Sequence, residues 1–163
     1  MRILGIDPGY GIVGYSVIEY KRNCFKYIAA GSIKTKPNSD FSERLQIIYN
    51  QLGNIIDKYK PSSAAVETLY FNQNTKTAIH VAEARGVILL KLKQENLIIR
   101  EYTPLQVKQA VTGYGRADKK QVQEMVKSIL TLKTIPKLDD TTDAMAIAIC
   151  HAHSADSLLT NLK

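Results

Sequence analysis

The stretch ILGIDPGYG, residues 3–11, is an apolar run that ends on an aspartate and then breaks into proline and glycine. The run predicts a buried β-strand, and an unpaired carboxylate at the end of such a strand is costly to bury. Because proline favours an extended conformation in the preceding residue, the side chain of Asp7 is held at the end of this strand. Asp7 therefore faces either water or a positive partner.

The sequence after this strand predicts a sheet with an antiparallel and a parallel half. Two runs of β-branched and aromatic residues at 12–20 and 24–33 follow the first strand at 2–6 across short turns, which predicts an antiparallel meander. Strands and helices then alternate. The other predicted elements are helices at about 40–59, 75–94, 104–111, 119–130 and 141–153 and strands at 63–70 and 97–103. We expect an α/β fold, a mixed five-stranded sheet with helices on both faces.

Composition sets limits on the class of protein. The 163 residues favour a single domain over 1–153, with a polar and frayed tail at 154–163. A net charge of +7 suits a polyanionic partner such as nucleic acid, although a mildly basic protein without such a partner has the same charge. Without a long apolar span or a signal-peptide pattern, a cytoplasmic location is expected. Cys24 and Cys150 are interpreted as small core residues and not as a disulfide.

Four carboxylates are candidates for a shared site, namely Asp7, Glu67, Asp140 and Asp143. Each has a purely structural alternative, since an aspartate can shape a turn or cap a helix and a glutamate can be solvated at the end of a strand. Functional groups in open sheets gather beyond the carboxyl ends of strands, so pairing of the first and fourth strands would place Asp7 beside Glu67. The spacing of Asp140 and Asp143 places them on one face of a helix, in its first turn.

A cluster of this kind favours a metal centre. Carboxylates that lie close together raise one another's pKa, and a divalent cation removes that cost. Oxygen ligands without accompanying Cys or His favour Mg²⁺ or Mn²⁺, and a pair of ions about 4 Å apart suits displacement at phosphorus. An acidic, metal-binding pocket in a basic protein is the charge distribution that a nuclease needs.

Four motifs together resemble the RuvC family of bacterial Holliday-junction resolvases, from Met1 to about His153. They are GIDPG, VETLYF with NQNTKTAIHVAEARG, QVKQAVTGYGRADKKQVQEMV, and DDTTDAMAIAICHAH. The resemblance implies a ribonuclease H-like fold. It also implies an endonuclease that resolves four-way DNA junctions by paired, symmetric, metal-dependent hydrolysis, giving 5′-phosphate and 3′-hydroxyl ends, in homologous recombination and DNA repair. A homodimer and the branch-migration proteins RuvA and RuvB as partners are implied as well.

The resemblance assigns roles to individual residues. It implies that the catalytic ligands of Mg²⁺, with Mn²⁺ as a substitute and two ions per site, are Asp7, Glu67, Asp140 and Asp143. Some family members carry His at the position of Asp140. Lys108 and Lys119 match basic positions at the reacting phosphate. The implied DNA contacts are Tyr70, as a ring that stacks on unpaired bases, together with Lys76, Arg85, Lys108, Arg116 and Lys119.

Several alternatives stay open from the sequence. Tyr70 can simply pack at the end of a strand, and a lysine on a helix is usually just solvated. An actin-like kinase or ATPase also begins with a strand, an aspartate and a glycine-rich turn, but it needs two such lobes. Another ribonuclease H-like nuclease and a non-catalytic junction-binding protein are the remaining alternatives. The helix at 75–94, with Ala78, Ile79, Ala82 and Gly86, is a candidate dimer interface.

Overall fold

The computed structural model describes residues 1–69, 75–136 and 139–160. The strands in these residues are β1 (Arg2–Asp7), β2 (Ile12–Lys21), β3 (Cys24–Lys34), β4 (Ser63–Glu67) and β5 (Ile98–Tyr102). The helices are α1 (Phe41–Tyr59), α2 (Thr75–Gln94), α3 (Pro104–Thr112), α4 (Lys119–Ile129) and α5 (Asp139–Thr160). No helix in the described residues is both long and apolar enough to cross a membrane.

The strands form one sheet in the order β3-β2-β1-β4-β5. β2 pairs antiparallel with β1 and with β3, which gives the predicted meander. β4 runs parallel to β1 and to β5. The mixed five-stranded sheet is therefore confirmed, and β1 lies at its centre. Because β1 and β4 are parallel neighbours, their carboxyl ends meet at the same edge of the sheet.

Helices cover both faces of the sheet, as predicted. On one face, Ile48 of α1 and Ile88 of α2 pack in a buried cluster with Leu4 and Ile6 of β1. On the other face, α3, α4 and α5 pack in a second buried cluster, to which β1 contributes Ile3. Successive side chains of a strand point to opposite faces, so β1 supplies both cores. Its alternation also fixes the face on which Asp7 projects.

α5 approaches the sheet closely because glycines lie beneath it. A Cβ atom at Gly5 of β1 would overlap the carbonyl oxygen of Ala144 and the backbone of Ala148 in α5. Beside this contact, Ser16 of the neighbouring strand β2 donates a hydrogen bond from Oγ to the same carbonyl oxygen of Ala144 at 2.9 Å. At Gly5, the helix backbone therefore lies directly against the strand backbone.

Some element ends differ from the prediction. The helix predicted at 141–153 starts earlier, at Asp139, and continues to Thr160. Acidic residues stabilise the first turn of a helix, and Ser154 bonds its hydroxyl to the carbonyl oxygen of Cys150 at 2.9 Å instead of breaking the helix. The strand predicted at 63–70 ends at Glu67. The division into a domain at 1–153 and a tail stays a prediction.

The two cysteines lie in different environments. Cys150 is buried, as predicted, and neither cysteine is paired in a disulfide. The prediction that Cys24 is a core residue was wrong, because it is exposed. Cys24 pairs with Lys21 at the open tip of the β2–β3 hairpin, where Arg22 and Asn23 turn the chain with positive φ angles.

Gly5→Ala tests the close packing of α5 on the sheet. The added methyl group meets helix backbone, which cannot move aside as a flexible side chain can, so we expect the free energy of unfolding to fall by about 1–3 kcal/mol. Gly11→Ala is the control, since a Cβ there would meet only Nη2 of Arg44, at an ordinary 3.5 Å, and the φ angle of Gly11 is not positive. The control should change the free energy of unfolding by no more than about 1 kcal/mol. Urea denaturation measures both, and equal effects would contradict the packing argument.

Candidate active site

Two acidic side chains project from neighbouring strands at the carboxyl edge of the sheet. Asp7 is the last residue of β1, and Glu67 is the last residue of β4. The parallel register pairs Gly5 with Ala65 and Ile6 with Val66, so Asp7 and Glu67 follow the same alternation. Both therefore point to the face covered by α5. The first and fourth strands do pair, which was the condition for placing Asp7 beside Glu67.

The first turns of α5 bring Asp140 and Asp143 to the same edge. Gly14 of β2 pairs directly with Asp7, and a Cβ atom at Gly14 would overlap the carbonyl oxygen of Asp140. The backbone of α5 thus lies against the strand pair that carries Asp7. Sequence reasoning missed this role of Gly14, although a glycine inside a strand pattern is a known signal of a close backbone approach.

Electrostatics show that the four carboxylates influence one another. Burial above all, followed by the charges of Glu67, Asp143 and Asp140, raises the pKa of Asp7 to about 8, against a smaller lowering by Lys119. Burial followed by the charge of Asp143 raises the pKa of Glu67 to about 7. Burial also raises the pKa of the Asp143 carboxyl. The structure therefore gathers the predicted carboxylates into one electrostatic unit.

A pocket of about 230 Å³ opens beside this unit. Its polar lining comes from Glu67, Asp143, Lys108 and Lys119, and the rest of its wall is Pro104, Val107, Val122 and Ala146. Lys108 lies on α3 and Lys119 begins α4, so the lysines approach the carboxylates from the layer of helices. The two lysines predicted to act at the reacting phosphate thus flank two of the predicted metal ligands.

Asp139 and Asp140 have different surroundings, although they are adjacent. One carboxylate oxygen of Asp139 lies 2.9 Å from Nζ of Lys119, and the other accepts a hydrogen bond from Nε2 of Gln123 at 3.1 Å. Asp139 thereby tethers Lys119, whose Nζ lies 3.9 Å from Asp143. Asp140, by contrast, acts on the pKa of Asp7. These contacts favour Asp140 over Asp139 as a member of the central group.

The donor set fits a hard divalent cation. It consists of carboxylates only, and the raised pKa values of Asp7, Glu67 and Asp143 show desolvation and charge repulsion that a cation would relieve. In the described residues, no three His, Cys, Asp or Glu side chains lie close enough together to coordinate one metal ion in their present conformations. Binding an ion there would therefore require the carboxylates to turn inward from their present positions.

Arg85 and Arg44 hold the segments that carry the carboxylates. Arg85 donates from Nε to the backbone oxygen of Glu67 at 3.3 Å and forms an ion pair with Glu101 of β5. Arg44, only 8% exposed, bonds Thr35 at 2.8 Å and the carbonyl oxygen of Tyr10 at 3.2 Å. Arg44 thus fixes the loop that follows Asp7. Sequence reasoning missed Arg44, because an arginine in an amphipathic helix carries no signal of such a role.

Of the other predicted DNA contacts, the structure describes the side chains of Arg85 and Arg116. Arg116 is exposed in the loop between α3 and α4. The predicted role of Arg85 in binding DNA stays a prediction, and its present contacts are within the protein. Tyr70 lies outside the described residues, as does the side chain of Lys76 at the start of α2.

A sheet of this order, with acidic residues at the ends of two adjacent strands and on the helix across them, defines a ribonuclease H-like nuclease. The sequence model of the family described as "Crossover junction endodeoxyribonuclease RuvC" matches residues 3–151. A protein with that description from Halothermothrix orenii is 58% identical, covering 94% of this chain and 93% of its own. The corresponding protein from Clostridioides difficile is 54% identical, covering 94% and 91%. This chain belongs to the RuvC family of crossover junction endodeoxyribonucleases.

Solved structures agree with this membership. RuvC from T. thermophilus in complex with a Holliday junction substrate superposes with a TM-score of 0.92, at 33% identity over 96% of each chain. A second Thermus thermophilus RuvC structure gives a TM-score of 0.88 with the same identity and coverage. The yeast mitochondrial Holliday junction resolvase, at 14% identity and a TM-score of 0.71, shares the fold.

The raised pKa of Asp7 predicts how pH affects the metal-free protein. Asp7 has a pKa of about 8 when folded and 3.8 as a free side chain, so unfolding releases this proton at intermediate pH. The free energy of unfolding should therefore fall as pH rises from about 4 to about 8. Asp7→Asn removes this titration, and its unfolding free energy should exceed that of the wild type near pH 8. Because Glu67 has a pKa of about 7, the unfolding free energy of Asp7→Asn should still fall with rising pH, but less steeply than that of the wild type.

Urea denaturation with a chelator, repeated across this pH range, measures the effect. Asp57→Asn is the control, because Asp57 is exposed on α1 and is paired with Lys60 at 2.9 Å, away from the site. Its pH profile should parallel that of the wild type. If the free energy of unfolding changed with pH equally in Asp7→Asn and in the wild type, the pKa of Asp7 would not be raised in the folded protein.

Proposed function

We propose that the protein resolves four-way (Holliday) DNA junctions by paired, symmetric, metal-dependent hydrolysis of two phosphodiester bonds, leaving 5′-phosphate and 3′-hydroxyl ends. Family membership and the likeness to a RuvC structure described with a Holliday junction substrate support this substrate. The observation that carries the proposal is the joining of four carboxylates and two lysines in one site of a protein with a net charge of +7. The reaction would serve homologous recombination and DNA repair in the cytoplasm.

Asp7, Glu67, Asp140 and Asp143 would hold the metal. Mg²⁺ suits this set, Mn²⁺ could replace it, and the number of oxygen donors is compatible with two ions. Such ions supply activation of the attacking water and stabilisation of the leaving 3′ oxygen. The protein's part is to hold the carboxylates at the edge of the sheet, where Gly14 and Arg85 fix the backbone around them.

Lys108 and Lys119 would hold the phosphate that is cut. The ammonium of Lys119 is already placed by its contact with Asp139 at 2.9 Å, and this contact raises its pKa, so the side chain stays positively charged. A cation positioned before the reaction stabilises charge that develops on the phosphate oxygens without reorganisation. Lys108 lines the same pocket and lowers the pKa of Glu67.

The exposed face of α2 would join two copies of the protein. Ile79 is 58% exposed and Leu90 is 55% exposed, and exposed Ala82 and Gly86 lie between them at helical spacing. Ala78 is partly buried beside them. A two-fold homodimer would carry two sites with the symmetry of a four-way junction, which paired cuts require. RuvA and RuvB are the proposed partners in branch migration.

A synthetic four-way junction tests the proposed reaction. The wild type should cut two opposite strands symmetrically in Mg²⁺ and cut nothing in a chelator. Asp7→Asn should bind the junction but leave it uncut, since it loses a metal ligand and keeps the basic surface. Asp57→Asn serves again as the control and should cut normally.

Other results of the same assay would contradict the proposal. Cutting in the presence of chelator, or by Asp7→Asn, would remove the metal mechanism. Faster cutting of an RNA–DNA hybrid than of the junction would favour another kind of ribonuclease H-like nuclease. Binding without any cutting by the wild type would favour a protein that only binds junctions.

Ile79→Asp and Leu90→Asp test the dimer. A charge buried in an apolar interface is unfavourable, so each change should shift the protein from dimer to monomer in sedimentation equilibrium. Paired cutting should fall with the dimer fraction. Ile98→Asp, at an exposed apolar residue of β5, is the control and should remain dimeric. A wild type that is monomeric, or variants that stay dimeric, would exclude this face as the interface.

A further inference from the structure

The loop between α3 and α4 displays an exposed tyrosine. Tyr114 is 58% exposed, and in the described residues its ring has no aromatic, cationic or hydrogen-bonding partner. The ring of a tyrosine offers a planar apolar face that can stack on another ring. The function described above does not use Tyr114.

The backbone beneath Tyr114 is firmly held. Its N–H donates to Oγ1 of Thr112 at 3.1 Å, and its carbonyl oxygen accepts from the N–H of buried Ala117 at 3.1 Å. Gly113, with a φ of 75°, is fixed by Gln109 through both its N–H at 2.9 Å and its carbonyl oxygen at 2.8 Å. A ring on a fixed backbone loses little conformational entropy when it binds a ligand.

The position of the loop ties it to the catalytic pocket. The loop joins the helix that carries Lys108 to the helix that begins at Lys119, and both lysines line that pocket. Thr112, which supports Tyr114, also bonds the carbonyl oxygen of Lys108 at 2.9 Å. Arg116 and Lys120 are exposed on either side of Lys119 and add positive charge. These charges suit the phosphate backbone of a bound nucleic acid.

A second pocket, of about 350 Å³, lies between the loop and α4. Its wall consists of Thr112, Tyr114, Ala117, Gln121, Glu124 and Met125. Tyr114 and Met125 offer apolar surface, whereas Gln121 and Glu124 offer polar groups. Oε1 of Gln121 accepts from the N–H of Asp118 at 2.9 Å, which leaves the amide nitrogen of Gln121 as a donor. A planar ring with a nearby donor and carboxylate acceptor matches the face and the edge of a nucleobase.

We propose that this second pocket is a nucleobase subsite, in which the ring of Tyr114 stacks on a base of the bound junction DNA. Gln121 and Glu124 face the edge of that base and set a preference among bases. This inference rests on the proposed cutting of DNA junctions and adds a specificity-determining contact to it.

The test uses synthetic four-way junctions with 2-aminopurine at successive positions around the cut. The fluorescence of this base is quenched when a ring stacks on it. In a chelator, the wild type and Tyr114→Phe should quench the probe at one position, and Tyr114→Ala should not. In Mg²⁺, Tyr114→Ala should bind the junction with about tenfold lower affinity, as expected for the loss of one stacked base, or cut it about tenfold more slowly. Glu124→Gln should change the relative cutting of junctions that differ only at that base.

Tyr27→Ala is the matched control, because Tyr27 is a tyrosine, 38% exposed, on β3 and outside both pockets next to the loop. It should behave as the wild type. Wild-type quenching and rates in Tyr114→Ala, or equal losses in both alanine variants, would overturn the subsite. An unchanged preference in Glu124→Gln would overturn the edge contact. Failure of the proposed function is distinguishable, since the wild type itself would then leave the junction uncut.

Discussion

The contact between α5 and the paired strands β1 and β2 is the constraint on which the site depends. At Gly5 and Gly14 the strand backbone directly contacts the helix backbone, and the short side chain of Ser16 donates a hydrogen bond to the helix backbone at 2.9 Å. Because α5 carries two of the carboxylates in its first turns, this approach sets their distance from Asp7. A bulkier residue beneath the helix would separate the acidic groups while leaving the rest of the fold intact.

The same contact makes the site unfavourable for the metal-free fold. Burial above all, and then repulsion between neighbouring carboxylates, raises the pKa values of Asp7 and Glu67 to about 8 and about 7. Sites that bind ions or substrates commonly retain such strain, because the energy is recovered when the charge is neutralised. The surrounding lysines relieve only part of it, and Lys119 is shared with Asp139.

Periodicity was sufficient to predict the sheet and the helices on its faces. Convergence of Asp7 and Glu67 followed from one further rule, that parallel neighbours end at the same edge. The contributions of Gly14, Arg44 and Arg85 were not predictable in this way, since each acts through a partner distant in sequence. The exposure of Cys24 and the extension of α5 past Ser154 depend on a hairpin tip and on a local hydroxyl bond. Neither the hairpin tip nor the hydroxyl bond can be predicted from the pattern of hydrophobic residues.

The central claim is that carboxylates from β1, β4 and α5 together coordinate divalent cations at one edge of the sheet. Anomalous diffraction from crystals soaked in Mn²⁺ tests this most directly. The account predicts a peak about 2.1 Å from a carboxylate oxygen of Asp7, shared with Glu67, Asp140 or Asp143. A fully occupied Mn²⁺ bound elsewhere, with no peak at Asp7, would contradict it.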